Sequence, residues 1–320
     1  MTAMWMNGGR SMHNRSWLFV PGDSDTKLTK AVSTEADVII VDLEASVPSD
    51  AKHRARELAA GWLRVHRNRI LEQHDMGRWV RINALDSRLW RDDLVAVMPS
   101  APDGIILPKA SGPDALRQIA AEIYELEQRN QIAPGSTKLM PMAGETPVSA
   151  LSIAAYADAS QPRLAGLTWG AESLLAALSA TRRREGKTGW TDVFRFIRAQ
   201  VLLTAHAGGI MAIDAFHPDL DDEKGLKAAT RDAKADGFSG MLAIHPEQVP
   251  AINKAFTPSE DELEQARQLV AAFETDPETE VLELDRRTIG EPNLKSARRV
   301  LGLDAVAVSE QPRAPILRPA

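Results

Sequence analysis

Apolar residues fall along this chain in short, unbroken runs, and most runs are followed by a stretch where they return every three or four positions. The runs are rich in Val, Ile and Leu. They are "WLFVPG" (17–22), "DVIIVDLE" (37–44), "RWVRIN" (78–83), "GIILPK" (104–109), "KLMPMAGE" (138–145), "LAGLTWG" (164–170), "GIMAIDA" (209–215) and "GMLAIHP" (240–246). Continuous rather than alternating hydrophobicity predicts strands covered on both faces, as in a parallel sheet. Between them, "DALRQIAAEIYELEQRN" (114–130) and "WTDVFRFIRAQVLLTAHA" (190–207) have helical spacing, and Gly208 and Gly209 stop the second. Eight strands with seven helices between them, in about 230 residues, match a (β/α)8 barrel of usual length ~250. A doubly wound open sheet is the rival, but it normally uses fewer strands. The expected class is therefore α/β: a (β/α)8 TIM barrel over residues 15–256 with a C-terminal helical extension.

The two ends read differently. Residues 1–14 are expected to be a loose leader, without the apolar stretch of a secretory signal. After Phe256, "TPSEDELEQARQLVAAFE" (257–274) opens with a Ser/Thr cap and an acidic first turn and continues as a helix. "DPETEVLELDRRTIGEP" (276–292) reads as a loop or short hairpin and "NLKSARRVLGL" (293–303) as a last short helix. Residues 257–320 are too few for an independent domain. They are expected to pack on the barrel or on a neighbouring subunit, with the last twelve residues frayed.

Composition narrows the function classes. The chain has 320 residues, 44% of them apolar, and a net charge of −6. An acidic balance argues against nucleic acid as partner, because phosphate neutralisation needs clustered cations. The one dense basic run, "TRRREGK" (181–187), is read as a solvated loop. There is no cysteine, which excludes disulfides, thiolate metal sites and a cysteine nucleophile. No apolar run reaches the ~18 residues that span a bilayer. A cytoplasmic protein without a membrane partner is expected.

In a barrel the active site is built at the C-terminal ends of the strands. Read there, the sequence offers Gly22, Asp42 with Glu44, Arg81 with Asn83, Lys109, Glu145, Glu172 with Ser173, Asp214 and His245. This set suits a hard divalent cation held by carboxylates and an anionic substrate held by arginine. Each position also has a plainer reading. Glu145, before "TPV", is as good a first-turn carboxylate as a ligand. Arg81 is as good half of a buried ion pair as an anion clamp. Lys109 can pair with Asp42 or Glu44, His245 reads as a structural histidine, Asp214 as an orienting residue, and Ser173 as a helix cap. "GKT" at 186–188 lacks the earlier glycine of a phosphate loop, and no G-x-S-x-G or H-E-x-x-H motif is present.

Several stretches carry a family resemblance. "RSWLFVPGDSDTKLTKA" (15–31), "DVIIVDLEASVPSDAKHRAR" (37–56), "VRINALDS" (80–87) and "DGIILPKA" (103–110) resemble citrate lyase β-subunit-like proteins of the HpcH/HpaI aldolase superfamily. So do "GET" (144–146), "GLTWGAES" (166–173), "AGGIMAID" (207–214) and "GFSGMLAIHPEQVPAINKAFTPS" (237–259). The resemblance runs in order from about Arg15 to Ser259 and more weakly to 303. It implies a (β/α)8 barrel, usually a homotrimer or larger, with the C-terminal segment over a neighbour's site. It implies cleavage or formation of a carbon–carbon bond next to a carbonyl, on a small 3-hydroxy acid or its CoA or carrier thioester. Mg²⁺ would be held by Glu145 and by the residues at 172 and 173, and Arg81 would grip a substrate carboxylate. Substrate binding falls to Arg81, Glu145 and Lys109, and catalysis to Arg81, Glu145 and Glu44.

The chain departs from that pattern at four places. The usual G-A-E-D is "GAES", so a neutral Ser173 stands where the family places a metal-binding acid. D-L-E-D is "DLEA" with Ala45, and a lysine before I-H-P is Met241. The tail's acid is Gly290, beside Glu291. The expectation is a lyase with a weakened or altered Mg²⁺ site. A non-catalytic thioester-binding relative and a thioester hydrolase on the same scaffold are the alternatives.

Overall fold

A computed structural model describes residues 5–7, 10–12, 14–67, 76–158, 161–185, 189–275, 281–284 and 287–303. Residues 1–4, 8, 9 and 13 of the expected leader and the final twelve residues lie outside them. The chain divides into two compact units, one ending at Pro258 and the other beginning at Ser259.

The first unit is a closed barrel of eight parallel strands. These are β1 (Ser16–Pro21), β2 (Val38–Asp42), β3 (Gly77–Arg81), β4 (Gly104–Leu107), β5 (Lys138–Ala143), β6 (Gly166–Trp169), β7 (Met211–Asp214) and β8 (Gly240–Ala243). Each pairs with its neighbour in sequence, and β8 returns to β1 through Met241, Leu242 and Ala243 opposite Ser16, Trp17 and Leu18. The eight apolar runs of the sequence are these strands. Helices follow them: α1 (Asp25–Ala31), α2 (Lys52–Arg67), α3 (Trp90–Val97), α4 (Pro113–Arg129), α5 (Pro147–Leu151), α6 (Ala171–Ala177), α7 (Asp192–Ala207), α8 (Glu223–Asp236) and α9 (Val249–Phe256).

The two-residue period of each strand sorts its side chains into two cores. Trp17, Val38, Ile40, Trp79, Ile106, Met140, Met142, Met211, Ile213 and Leu242 fill the barrel. Leu18, Ile39, Val41, Val80, Ile105, Leu139 and Met241 face the helices instead. Because both faces are covered, neither can be polar. That is why the strands read as continuous apolar runs.

Polar residues gather at the ends of the strands, and the two ends differ in kind. At the N-terminal end three arginine–acid pairs tie strand starts together. Arg15 pairs with Asp37 at 2.8 Å, Arg78 with Asp103 at 2.7 Å and Arg163 with Glu127 at 2.6 Å. Glu127 is fully buried and also accepts the Gly135 and Thr137 amides, so its charge is satisfied from several sides. These pairs brace the N-terminal end, and it is at the opposite, C-terminal end of the strands that barrel enzymes build their sites.

The second unit contains α10 (Glu260–Thr275), a hairpin of Val281–Leu284 and Arg287–Gly290, and α11 (Glu291–Val300). Ser259 accepts the Glu262 amide at 3.1 Å while Glu262 accepts the Ser259 amide at 2.7 Å, the reciprocal cap that the sequence predicts. Ala266 and Val270 pack with Ala297.

Candidate active site

The last residue of β2 and the last of β3 stand in register, Asp42 opposite Arg81. Both continue the inward-facing phase set by Ile40 and Trp79, so the barrel pleat alone brings them together at its mouth. Asp42 accepts Arg81 Nε and Nη2 at 2.7 Å each. It also accepts the Glu44 amide at 2.9 Å, the Ser46 amide at 2.8 Å and the Ser46 hydroxyl. Burial pushes this carboxyl up, but Arg81 and these donors outweigh it and bring the pKa down to about 2. Of the two readings of Arg81, the buried ion pair is the one observed. One edge of the guanidinium is fixed by Asp42, and its face lies 4.3 Å above the Phe19 ring. Nη1 meets only the Met142 sulfur, at 3.8 Å, which leaves N–H groups turned away from Asp42 for an incoming carboxylate.

Two carboxylates flank this cation. Glu44 lies 3.7 Å from Arg81 Nε and 3.1 Å from Lys109 Nζ, so Lys109 takes the Glu44 option and not Asp42. Lys52 donates to the Leu43 and Glu44 carbonyls at 2.6 and 2.7 Å and fixes the backbone that presents Glu44. Glu145 stands just past β5, after Gly144. Gly144 has φ +76°, and a Cβ there would meet Ile197 at 2.5 Å, so only glycine makes this turn. The cap of α5 is Thr146, in a reciprocal pair with Ser149, and that leaves Glu145 free to face inward.

Glu145 is 2% exposed. Its Oε2 accepts the Lys109 amide at 2.6 Å, and its Oε1 accepts the Ser173 hydroxyl at 2.8 Å. Burial raises its pKa against the lowering pull of the Lys109 amide, Arg81 and Ser173, and Glu44 adds to the rise. Lys109 presents that amide from a left-handed conformation, φ +50°, unusual for a residue with a side chain and typical of functional turns.

The hydroxyl of Ser173 is thus engaged with Glu145 and does not cap α6, whose N-cap is Gly170. A Cβ at Gly170 would lie 2.7 Å from Glu145 Oε1, so this glycine leaves the room that the Glu145 carboxylate occupies. Glu172 is held by Arg183 at 2.7 Å. Toward a cation such as Mg²⁺ this corner offers Glu145 as one carboxylate and Ser173 as one neutral oxygen. Among the described residues no group of three or more His, Asp or Glu is arranged to hold a metal ion. Mg²⁺ is commonly held through one or two carboxylates with waters in its other positions, and this pair offers one.

Three expected site residues stand apart from the cluster. Asp214 continues the outward phase of β7, accepts Trp169 Nε1 at 2.8 Å and pairs with Arg198 at 2.8 Å in the helix layer. His245 caps the turn after β8 by accepting the Glu247 amide at 3.4 Å. Asn83 donates to Asp93 and to the Leu43 carbonyl, a bracing role beneath the site. Gly290 donates its amide to Asn293, and Glu291 pairs with Lys295 on its own helix. Sequence reading missed Phe19, Ser46, Lys52, Gly170 and Arg183. It took Arg183 for part of a solvated run, whereas it is three-quarters buried on Glu172. The tryptophan-glycine step before α6 was the available signal for Gly170.

Residues 15–246 match the family model of HpcH/HpaI aldolase/citrate lyase. The chain is similar to the citrate lyase subunit beta-like protein of Mycobacterium tuberculosis, 35% identical over 92% of this chain and 97% of the relative. It is also similar to the (3S)-malyl-CoA thioesterase of Cereibacter sphaeroides, 33% identical over 81% and 83%. Among solved structures it resembles protein CitE from Mycobacterium tuberculosis in complex with magnesium, acetoacetate and coenzyme A. That likeness has a TM-score of 0.69 and 33% identity over 91% of this chain and 97% of the other.

Proposed function

The chain belongs to the HpcH/HpaI aldolase/citrate lyase family, and from that premise we propose that it cleaves the carbon–carbon bond of a small 3-hydroxy acid or its CoA or carrier thioester. The observation that carries this reading is Arg81, fixed on Asp42 along one edge and flanked by Glu44, Lys109 and Glu145. In the retro-aldol direction the bond between the hydroxyl-bearing carbon and the carbon next to the thioester carbonyl breaks. The hydroxyl becomes a carbonyl as its proton leaves, and the bonding pair becomes an enolate that takes a proton at carbon from solvent. Arg81 grips the carboxylate on the hydroxyl-bearing carbon and sets the reacting geometry. Glu44 takes the hydroxyl proton, and Lys109 steadies the negative charge that moves to the enolate oxygen. Glu145, buried and with a raised pKa, holds Ser173 and the Lys109 amide in place around it.

We further propose that the Mg²⁺ site is weakened relative to a two-carboxylate site, because Ser173 contributes no charge and Glu172 would have to leave Arg183 to contribute its own. A homotrimer with residues 257–303 packed on a neighbouring subunit completes the proposal. The second reading, thioester hydrolysis, draws support from the Ser173 hydroxyl held 2.8 Å from a buried carboxylate, an arrangement suited to drawing a proton from an attacking oxygen. Incubation with malyl-, citramalyl- and citryl-thioesters, with Mg²⁺ and with a chelator, separates the readings by what is released. An α-keto acid product supports the lyase, and its absence from all three substrates overturns it.

A further inference from the structure

Two apolar stripes run along α7. One, through Phe194, Ile197 and Val201, is buried against the barrel. The other, through Val193, Phe196, Gln200, Leu203 and Ala207, repeats at steps of three and four along the outer flank. Val193 is 50% exposed, Phe196 56% and Leu203 69%. A stripe with that spacing is the seam by which one helix packs along another. A helix that is apolar outside as well as inside is built to be covered on both sides.

The outer stripe continues onto α5, where Val148 is 66% exposed and Leu151 85%. The turn Ile153–Tyr156 that follows packs on α7 and adds the exposed Ala154 and Ala155. Residues 147–157 include no charged side chain, and neither does the outer stripe of α7. Within that stripe Gln200 Oε1 is buried and has no hydrogen-bond partner. An amide oxygen in that state calls for a donor from outside the chain. Other exposed large apolar side chains, such as Val65, Val95 and Tyr124, stand singly on α2, α3 and α4, as scattered surface residues do.

The five large side chains of this face expose on the order of 500 Å² of apolar surface, toward the upper end of the largest patch on a monomer. A standard interface buries about 800 Å² per partner, a little over half of it apolar, so the face is large enough for a stable contact. The want of charge across it is the mark of a permanent partner, and most soluble assemblies join copies of one chain.

We propose that the α5–α7 face is where a second copy of this chain docks, with an element of that copy lying along the 193–207 seam. The proposal rests on the homo-oligomer reading above and names its surface. The contact also braces the active site from outside. Glu145 follows Gly144, which lies against Ile197 of α7, and leads within two residues into α5.

The chain has no cysteine, so one introduced thiol reports on one position. Leu151→Cys, Phe196→Cys and Val65→Cys are each reacted with a maleimide in the native full chain at micromolar concentration, with the guanidinium-unfolded chains as rate references. Both thiols of the face should react about tenfold or more slowly than that of Val65→Cys. In sedimentation velocity, Leu151→Glu and Phe196→Glu should each shift the wild-type oligomer toward monomer, while Val65→Glu should not. An oligomeric chain whose face thiols react as fast as that of Val65→Cys, or whose two face variants to Glu stay assembled, overturns this surface and leaves the homo-oligomer reading standing. A monomeric wild type overturns both. Fast thiols then show the face bare, and slow ones show it covered by the chain's own residues 259–303.

Discussion

Asp42→Asn separates the electrostatics of the site from its shape, because the two side chains are nearly isosteric. The carboxylate accepts two 2.7 Å bonds from Arg81 and lies almost wholly out of solvent. Its pKa falls from the ordinary 3.8 to about 2 despite the opposing effect of burial. That difference corresponds to about 2 kcal/mol. The folded state holds the lower pKa, so this stability is complete above about pH 4 and is lost as pH falls through about 2. The substitution also leaves the Arg81 guanidinium in a buried position with Glu44, at 3.7 Å, as its nearest remaining anion. Removing one partner of a buried pair costs about 3–5 kcal/mol. Urea unfolding followed by tryptophan fluorescence, repeated between pH 2.5 and 7, measures both effects. The variant should be about 3–5 kcal/mol less stable at pH 7, with the gap narrowing by about 2 kcal/mol toward pH 2.5. A loss under about 1 kcal/mol at pH 7, or a gap that does not change with pH, would refute the reasoning.

Gly170→Ala puts a Cβ 2.7 Å from Glu145 Oε1 on backbone that tolerates alanine, so turnover should fall about 100-fold with little change in melting temperature; a large drop in melting temperature with normal kcat would contradict it. Ser173→Asp should tighten Mg²⁺ binding by about tenfold or more in titration calorimetry, and Mg²⁺ should restore the stability that two adjacent buried carboxylates remove. Equal Mg²⁺ affinity in both proteins would mean that Ser173 does not face the metal position. Glu127→Gln strips the partner of Arg163 at the far end of the barrel and should cost about 3 kcal/mol by urea unfolding while leaving kcat of the folded protein unchanged. Sedimentation should give a trimer at micromolar concentration, and a monomer would count against residues 257–303 packing on a neighbour.

The barrel was legible because strands buried on both faces leave a signature that needs no tertiary knowledge. Arg81, Glu44, Lys109 and Glu145 were legible as strand-end polar residues, and the register of β2 with β3 explains why two of them meet. What the sequence could not carry is which partner each takes. Ser173 and Glu145 are 28 positions apart and are joined by a hydrogen bond between two βα turns. Asp214 ends its strand as Asp42 does, but one step of pleat phase turns it into the helix layer. Arg183 and Arg184 sit in a run whose composition reads as solvated, and only the folded chain shows them on Glu172 and Trp190.

The central claim is carbon–carbon cleavage at the Arg81 cluster, and the products of a citramalyl thioester test it most directly. Carbon-13 NMR of the reaction mixture counts keto acid and free thiol against substrate consumed. The account predicts one keto acid per substrate with its acyl thioester intact, no free thiol, and a fall of kcat/KM by about 100-fold or more in Arg81→Lys. Free thiol with the carbon skeleton unbroken, or full activity in Arg81→Lys, would contradict it.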